Sequence, residues 1–347
     1  MKTDGADKVF LVVTGGSGFV GSKIVRLLKK QGFNKRFKIL SPSKAQLDIT
    51  SIRSLNAFFV RTKPNFLINF AAYTNIVDAE KQRGQKDSLS WKLNVEAVKK
   101  LVISCNKNNI FFVHISTDAV FPISAKLKGP FKETILGGDN SGLLSWYSYT
   151  KLIGEQEVIK NSQNFAIIRI SYPFGNKDSE KDFLKKTLEY LNSGQSLFSD
   201  QFFTPTYIPD LAKAIEVIVS KKKRGIFHVA CSGITTPYQF GKYAAEKMKL
   251  SKRTTFSPPV DGRGFPSAER MTFSHPRASR PQEVGVFADS KIKKQKLTEY
   301  ISKPAYIPRL KYGGLLTVTT QKKLKLKFLS WREAINKFLN EIKQKTN

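Results

Sequence analysis

Thr14-Gly15-Gly16-Ser17-Gly18-Phe19-Val20-Gly21 follows the apolar run Val9 to Thr14 and leads into a helix-length segment, Phe19 to Gln31. In that setting each glycine has its own task. Gly15 permits a tight turn out of a strand, Gly18 lets the main chain approach a phosphate, and Gly21 lets the helix pack close on the sheet. The first helical turn also carries unpaired N–H groups that favour an anion. Gly15, Gly18, Phe19, Val20 and Gly21 are therefore candidates for holding a dinucleotide pyrophosphate. The motif fixes a strand-turn-helix unit and leaves the reaction open.

Outward from this turn the same alternation continues. Phe37 to Leu40, Phe66 to Phe70, Ile110 to Ser116 and Phe165 to Ser171 are short, nearly all-apolar runs, as expected of parallel strands buried on both faces. Between and after them lie helical segments at Ile52 to Thr62, Ser88 to Asn108, Tyr147 to Lys160, Lys181 to Asn192, Pro209 to Ser220, Pro237 to Lys249 and Trp331 to Lys343. The expected fold is α/β, a Rossmann-type doubly wound parallel sheet with a smaller C-terminal substrate-binding lobe. Residues 1–175 are expected to form the nucleotide-binding domain, with its sheet completed by 207–232, and 176–347 mostly the second lobe. From Ser251 to Ala305 six prolines and repeated Ser and Arg interrupt any period, which predicts a long irregular excursion.

Composition narrows the class. With 347 residues there is chain enough for one sizeable core and a second lobe. The start of the chain has no leader-like pattern, no apolar stretch approaches the ~20 residues of a membrane span, and Cys105 and Cys231 stand alone in apolar contexts. A cytoplasmic protein with two buried thiols is expected. The formal charge of +32, from 59 Lys+Arg against 27 Asp+Glu, suggests polyanion binding at first sight. Lysine dominates, however, and is scattered over helices without interleaved Arg and aromatics, which argues against a nucleic-acid reader. His114, His228 and His275 are dispersed, so no metal site is expected.

An acid at the end of the second strand normally binds the adenosine ribose of NAD, and its absence leaves room for a 2′-phosphate. Here the stretch reads Ile39-Leu40-Ser41-Pro42-Ser43-Lys44. Ser43 and Lys44 are candidate phosphate partners, so NADP(H) is favoured over NAD(H). Asp48 either meets the adenine or caps the helix at Ile52.

Tyr147 and Lys151 are spaced by four residues on a predicted helix and so share one face. A nearby ammonium would lower the phenol from its usual ~10, fitting Tyr147 to give a proton to a carbonyl oxygen. Lys151 would also hold the cofactor ribose, and Tyr147 would border the cofactor. At the preceding strand end, Thr117 is the candidate to orient the carbonyl, Ser116 the second choice, and Asp118 a candidate substrate contact. Tyr149 lies on another face.

These residues, with Leu47-Asp48-Ile49-Thr50, Lys63 to Thr74, Asp78-Ala79-Glu80, Ser116 to Phe121, Tyr147 to Glu155 and Asp200 to Tyr207, resemble the dTDP-4-dehydrorhamnose reductase family of extended short-chain dehydrogenases. The likeness runs from about Val9 to Lys249 and resumes near Arg309. It implies that Asp48, Ile49, Ala71, Ala72 and Tyr73 line the cofactor, that Thr117, Tyr147 and Lys151 are the catalytic set, and that Asn94 lies nearby. It further implies substrate contacts from Thr74, Tyr172, Gln201 and Thr206, with Arg309 or Arg280 at the diphosphate. Tyr172 stands where the family often has tryptophan, and 251–305 looks like an insertion that could be an altered acceptor site, a lid, a partner surface or a loop.

The resemblance implies NADPH-dependent reduction of a 4-keto nucleotide sugar and leaves a homodimer open. A cofactor-binding regulatory subunit similar to the β subunit of methionine adenosyltransferase is an alternative, as is a sugar-nucleotide epimerase or dehydratase.

Overall fold

The computed structural model describes residues 9–30, 33–123, 128–137, 144–249, 292–301 and 306–344. Six strands form one parallel sheet: β1 (Val9–Thr14), β2 (Phe37–Leu40), β3 (Phe66–Asn69), β4 (Phe111–Thr117), β5 (Phe165–Ile170) and β7 (Gly225–His228), in the order β2-β1-β3-β4-β5-β7. The order reverses direction between β1 and β3. In open α/β sheets, ligands bind outside the strand C-termini at such a switch point, and the glycine turn emerges there. The doubly wound sheet expected from the sequence is the one observed.

Alternation along each strand splits the core into two layers. Leu11, Val13, Ile68, Val113 and Ile168 face one way, packing under α1 (Phe19–Lys30) and α8 (Ile208–Ser220). Val12, Leu67, Phe112 and Ile167 face the other, packing under α2 (Ile52–Thr62) and α5 (Ala97–Lys107). Cys105 lies in this second layer, and both cysteines are buried and unpaired. Short helices α3 (Ile76–Glu80) and α4 (Leu89–Trp91) precede α5.

The helix expected from Ser88 to Asn108 is not uniform. Between α4 and α5 the residues Lys92–Glu96 form a π-helical turn. Here α6 (Trp146–Asn161) presses against it: a Cβ on Gly154 would lie 2.1 Å from the Asn94 carbonyl oxygen. Only glycine at 154 allows the two backbones to meet there. Ser145 caps α6, its hydroxyl accepting from the Ser148 N–H, which starts the helix so that Tyr147 sits in the first turn.

A further apolar cluster, rich in aromatics, is built from Phe174, Phe203, Tyr207, Phe240, Trp331 and Phe338. It joins α7 (Phe183–Asn192), α9 (Pro237–Lys249) and α12 (Trp331–Lys343). Ser330 and Glu333 form a reciprocal capping box at the start of α12. Two-residue strands β6 (Leu197–Phe198) and β8 (Lys294–Gln295) pair in parallel, and α10 (Leu297–Ile301) follows. The end of the segment read as wholly irregular from Ser251 to Ala305 therefore carries a strand and a helix. Residues 250–291 and 302–305, with Arg280 and His275, lie outside the described residues.

Last, α11 (Val318–Leu324) meets β7, an outer strand of the sheet, at His228. The Thr320 hydroxyl accepts from the His228 N–H at 2.8 Å and donates to Glu133 at 2.7 Å. Among the described residues, no helix is long and apolar enough to cross a membrane.

Candidate active site

The bend after β1 is wedged between the ends of β2 and β3. Gly15 has φ +67°, and a Cβ there would fall 2.5 Å from the Ala71 nitrogen; at Gly21 it would fall 2.3 Å from the Gly15 carbonyl. At Gly18 the only neighbour within 4 Å would be the Gly15 oxygen at 3.2 Å. The outer side of Gly18 is therefore open, as a phosphate cradle needs. Gly16, which the motif reading passed over, packs against Ser41, its own Cβ position being 2.0 Å from that hydroxyl oxygen.

Beyond β2, Ser43 and Lys44 are exposed in a turn closed by hydrogen bonds from the Gln46 and Leu47 N–H groups to the Ser43 carbonyl. Asp48 accepts from the Thr50 N–H at 2.9 Å and hydroxyl at 2.7 Å, and these bonds hold its carboxyl below the usual range. The helix cap is Ser51, not Asp48. The Ile49 side chain is buried in the core, leaving its main chain as the part available to a ligand.

Ala71, Ala72 and Tyr73 run half-buried past the Gly15 bend, and Thr74 is exposed. Asn94 fixes this segment: its Oδ1 accepts from the Tyr73 N–H at 2.9 Å, and its Nδ2 donates to the Tyr73 carbonyl and to the Thr150 hydroxyl, both at 3.0 Å. The same residue thus ties the cofactor-side loop to α6, between Tyr147 and Lys151.

At the end of β4, Thr117 hydrogen-bonds the Tyr147 phenol, and Asp118 lies close enough to act on it electrostatically. Burial and the Asp118 charge push Tyr147 up to about 12, against the Thr117 bond. The lowering expected from Lys151 is not found. Lys151 donates instead to the Ile115 carbonyl at 2.8 Å and lies 3.5 Å from His114 Nε2. Burial brings its ammonium down to about 8, against the pull of Glu155. Asp118 is pushed up to about 6 by burial, against hydrogen bonds from Ser171 and Thr117.

Tyr172 is held at φ +40°, its ring tilted on Phe183 and Phe203 and its hydroxyl accepting from Gln201 Nε2 at 3.0 Å. Arg309 acts electrostatically on the same phenol. The structure therefore gathers Gly15, Ala71–Tyr73, Thr117, Asp118, Tyr147, Tyr172, Gln201 and Arg309 along the strand C-termini.

Two candidate hydroxyls are engaged within the frame. Thr206 is fully buried, its hydroxyl donating to the Val229 carbonyl at 2.7 Å and accepting from the Ser171 N–H at 2.9 Å. Both bonds tie it to the frame. Ser116 turns away from the crevice to donate to Glu155 at 2.6 Å. Tyr149 packs on Trp91 and Trp146. The motif reading missed Asn69, Thr150 and Ser171, and His114 was read only as an isolated residue. A lone polar residue inside an apolar strand, as at Asn69 and His114, was the available signal. Among the described residues, no group of three His, Cys, Asp or Glu could hold a metal.

A family model described as RmlD substrate binding domain matches residues 9–344. A dTDP-4-dehydrorhamnose reductase from Aggregatibacter actinomycetemcomitans is 30% identical, over 66% of this chain and 76% of the relative. The spore coat polysaccharide biosynthesis protein SpsK of Bacillus subtilis is 29% identical, over 69% of this chain and 80% of its own. The fold matches the crystal structure of dTDP-4-dehydrorhamnose reductase from Bacillus anthracis in complex with NADP, with TM-score 0.71, 22% identity, and 96% of this chain and 99% of that one covered.

Proposed function

This chain belongs to the RmlD substrate binding domain family, and from that premise we propose that it reduces the 4-keto group of a nucleotide-linked sugar, using NADPH in preference to NADH. One observation carries the reading: Thr117 and Asp118 at the end of β4 meet Tyr147 in the first turn of α6, beside a glycine bend whose outer side is open at Gly18.

Bound in that bend, NADPH would supply the hydride. Thr117 and Tyr147 offer two hydroxyls to the substrate carbonyl oxygen. As the carbonyl carbon accepts hydride, its π electron pair moves to oxygen, and the Tyr147 hydroxyl gives its proton there. A phenol held protonated by burial suits an acid in this direction. Asn94 keeps Ala71–Tyr73 and α6 in register, so the cofactor wall and the acid are positioned together. The lack of an acid from Ile39 to Lys44, with Lys44 exposed, favours the 2′-phosphate cofactor. Tyr172 and Gln201 form one wall for the sugar nucleotide, Arg309 supplies the cation for its diphosphate, and Asp118 and Thr74 complete the sugar side.

The test is reduced-nicotinamide absorbance with purified chain and a panel of 4-keto sugar nucleotides. Substrate-dependent loss with NADPH, faster than with NADH, is expected. Cofactor binding without turnover on any member of the panel would replace this reading with a regulatory one.

A further inference from the structure

A polar rung crosses the middle of the apolar sheet. Thr14, Asn69 and His114 are register partners on β1, β3 and β4, and each is at most 3% exposed. Thr14 Oγ1 lies 2.6 Å from Asn69 Oδ1, Asn69 Nδ2 lies 3.3 Å from His114 Nδ1, and His114 Nε2 lies 3.5 Å from Lys151 Nζ. The rung therefore begins at the mouth of the glycine bend and ends on the amine of α6.

Its hydrogen-bond directions are determined, because one donor has no alternative role. The main-chain N–H of Ala71 can only donate, and it points at Asn69 Oδ1 at 3.2 Å. The Asn69 oxygen must therefore lie on that side, where it also accepts from the Thr14 hydroxyl, and its two lone pairs are filled. The amide nitrogen is left facing His114 and donates to Nδ1. Burial, with the Lys151 charge adding to it, holds His114 well below its ordinary range, so the ring is neutral. With Nδ1 accepting, its one proton sits on Nε2, facing Lys151.

We infer that Asn69 and His114 are positioning residues that present an N–H donor to Lys151 and thereby favour its uncharged amine. This deepens the proposed reductase reading and rests on it. An amine has one lone pair for the His114 N–H and one hydrogen for the Ile115 carbonyl. An ammonium has no lone pair and meets the ring donor to donor. The 3.5 Å separation, long for a hydrogen bond, suits a contact that changes sign with the proton on Lys151. Besides His114, the titratable group that acts on the amine is Glu155, one turn on along α6, whose charge is engaged by Arg169 on β5; Tyr147, one turn back, answers to Asp118 beyond β4. Lys151 thus becomes a group that titrates within reach of neutrality, its charge set by a tautomer chosen on the neighbouring strand.

The chain has 3 histidines, so the tautomer can be read from long-range nitrogen-15 spectra of histidine-labelled protein, with His114→Phe identifying the signals. His114 is expected neutral and protonated on Nε2. Protonation on Nδ1, or an imidazolium at pH 7, would overturn the inference without touching the reductase reading. An Nε2 proton in a chain with no turnover would do the reverse. Asn69→Asp supplies the second arm. A carboxylate accepts from Nδ1–H, flips the tautomer and turns Nε2 into an acceptor. The ε-carbon signal of Lys151 should then titrate about one pH unit or more higher, as should the matching limb of the turnover profile. A flipped tautomer with an unmoved Lys151 titration would also overturn it. A merely structural Asn69 would lower activity and leave both signals in place.

Discussion

Two buried ionic constellations lie one helical turn apart on α6, and they are built on opposite plans. Around Glu155 every charge is answered. Arg169, fully buried, pairs with Glu155, donates to the Ile135 carbonyl at 2.9 Å, meets His228 Nε2 at 3.3 Å and lies over the Phe121 ring. Around Lys151 no charge is answered by direct contact. Lys151 and Asp118 are buried, yet among the described residues neither is in a salt bridge, Glu155 acting on Lys151 only from a distance, and their proton affinities move toward neutrality. Paired charges hold three elements in place; unpaired ones remain free to exchange protons.

The contrast can be broken most forcefully at Tyr147. Tyr147→Phe should lower kcat by roughly 10²- to 10⁴-fold with little change in substrate KM or melting temperature; unchanged turnover would remove the acid from the mechanism. On the paired side, Arg169→Met leaves Glu155 charged and buried and should cost about 3–5 kcal/mol of stability in denaturant titrations. The double variant with Glu155→Leu should recover most of that loss. If single and double variants unfold alike, the pair is not what joins α6 to the sheet.

Gly154→Ala tests the link between the constellations. Its methyl would strike the Asn94 carbonyl, so a loss of about 1–3 kcal/mol is expected, together with weaker cofactor binding as the Tyr73 loop shifts. Stability lost at unchanged cofactor affinity would show that Asn94 does not transmit the strain. The smallest effect belongs to Asp118. Its folded carboxyl titrates near 6, above the ordinary 3.8, so the folded chain binds more protons and stability falls as pH rises between those values. Asp118→Asn should flatten part of that fall and gain on the order of 1 kcal/mol at pH 8. Asp182, raised to about 6 in the same way, adds to the same slope. An unaltered profile would mean that Asp118 has another counter-charge in solution.

Sequence spoke clearly wherever structure depends on neighbours along the chain. β1, β3, β4 and β5 read as nearly all-apolar runs, as strands covered on both faces do, and Tyr147 and Lys151 share a helix face by spacing alone. β7, Gly225–His228, has only Ile226 and Phe227 between a glycine and a histidine, which leaves no apolar run to bound. The π turn at Lys92–Glu96 is met by α6 at Gly154, some sixty residues away in sequence, a contact that no local pattern announces. Thr206 and Ser116 looked like ligand hydroxyls because a hydroxyl's role depends on what faces it. The rung from Thr14 through Asn69 to His114 became visible only once the strand order placed those residues side by side.

The His228–Thr320 bond spans 92 residues of chain. During synthesis at ~5–20 residues per second, β7 must wait several seconds with an open hydrogen-bonding rim before α11 exists to cover it. A truncated chain ending before Val318 would keep that rim bare, a template for strand addition by another molecule. Yield in the cell should therefore depend on translation speed through the last third of the message, with a stall there more harmful than one earlier.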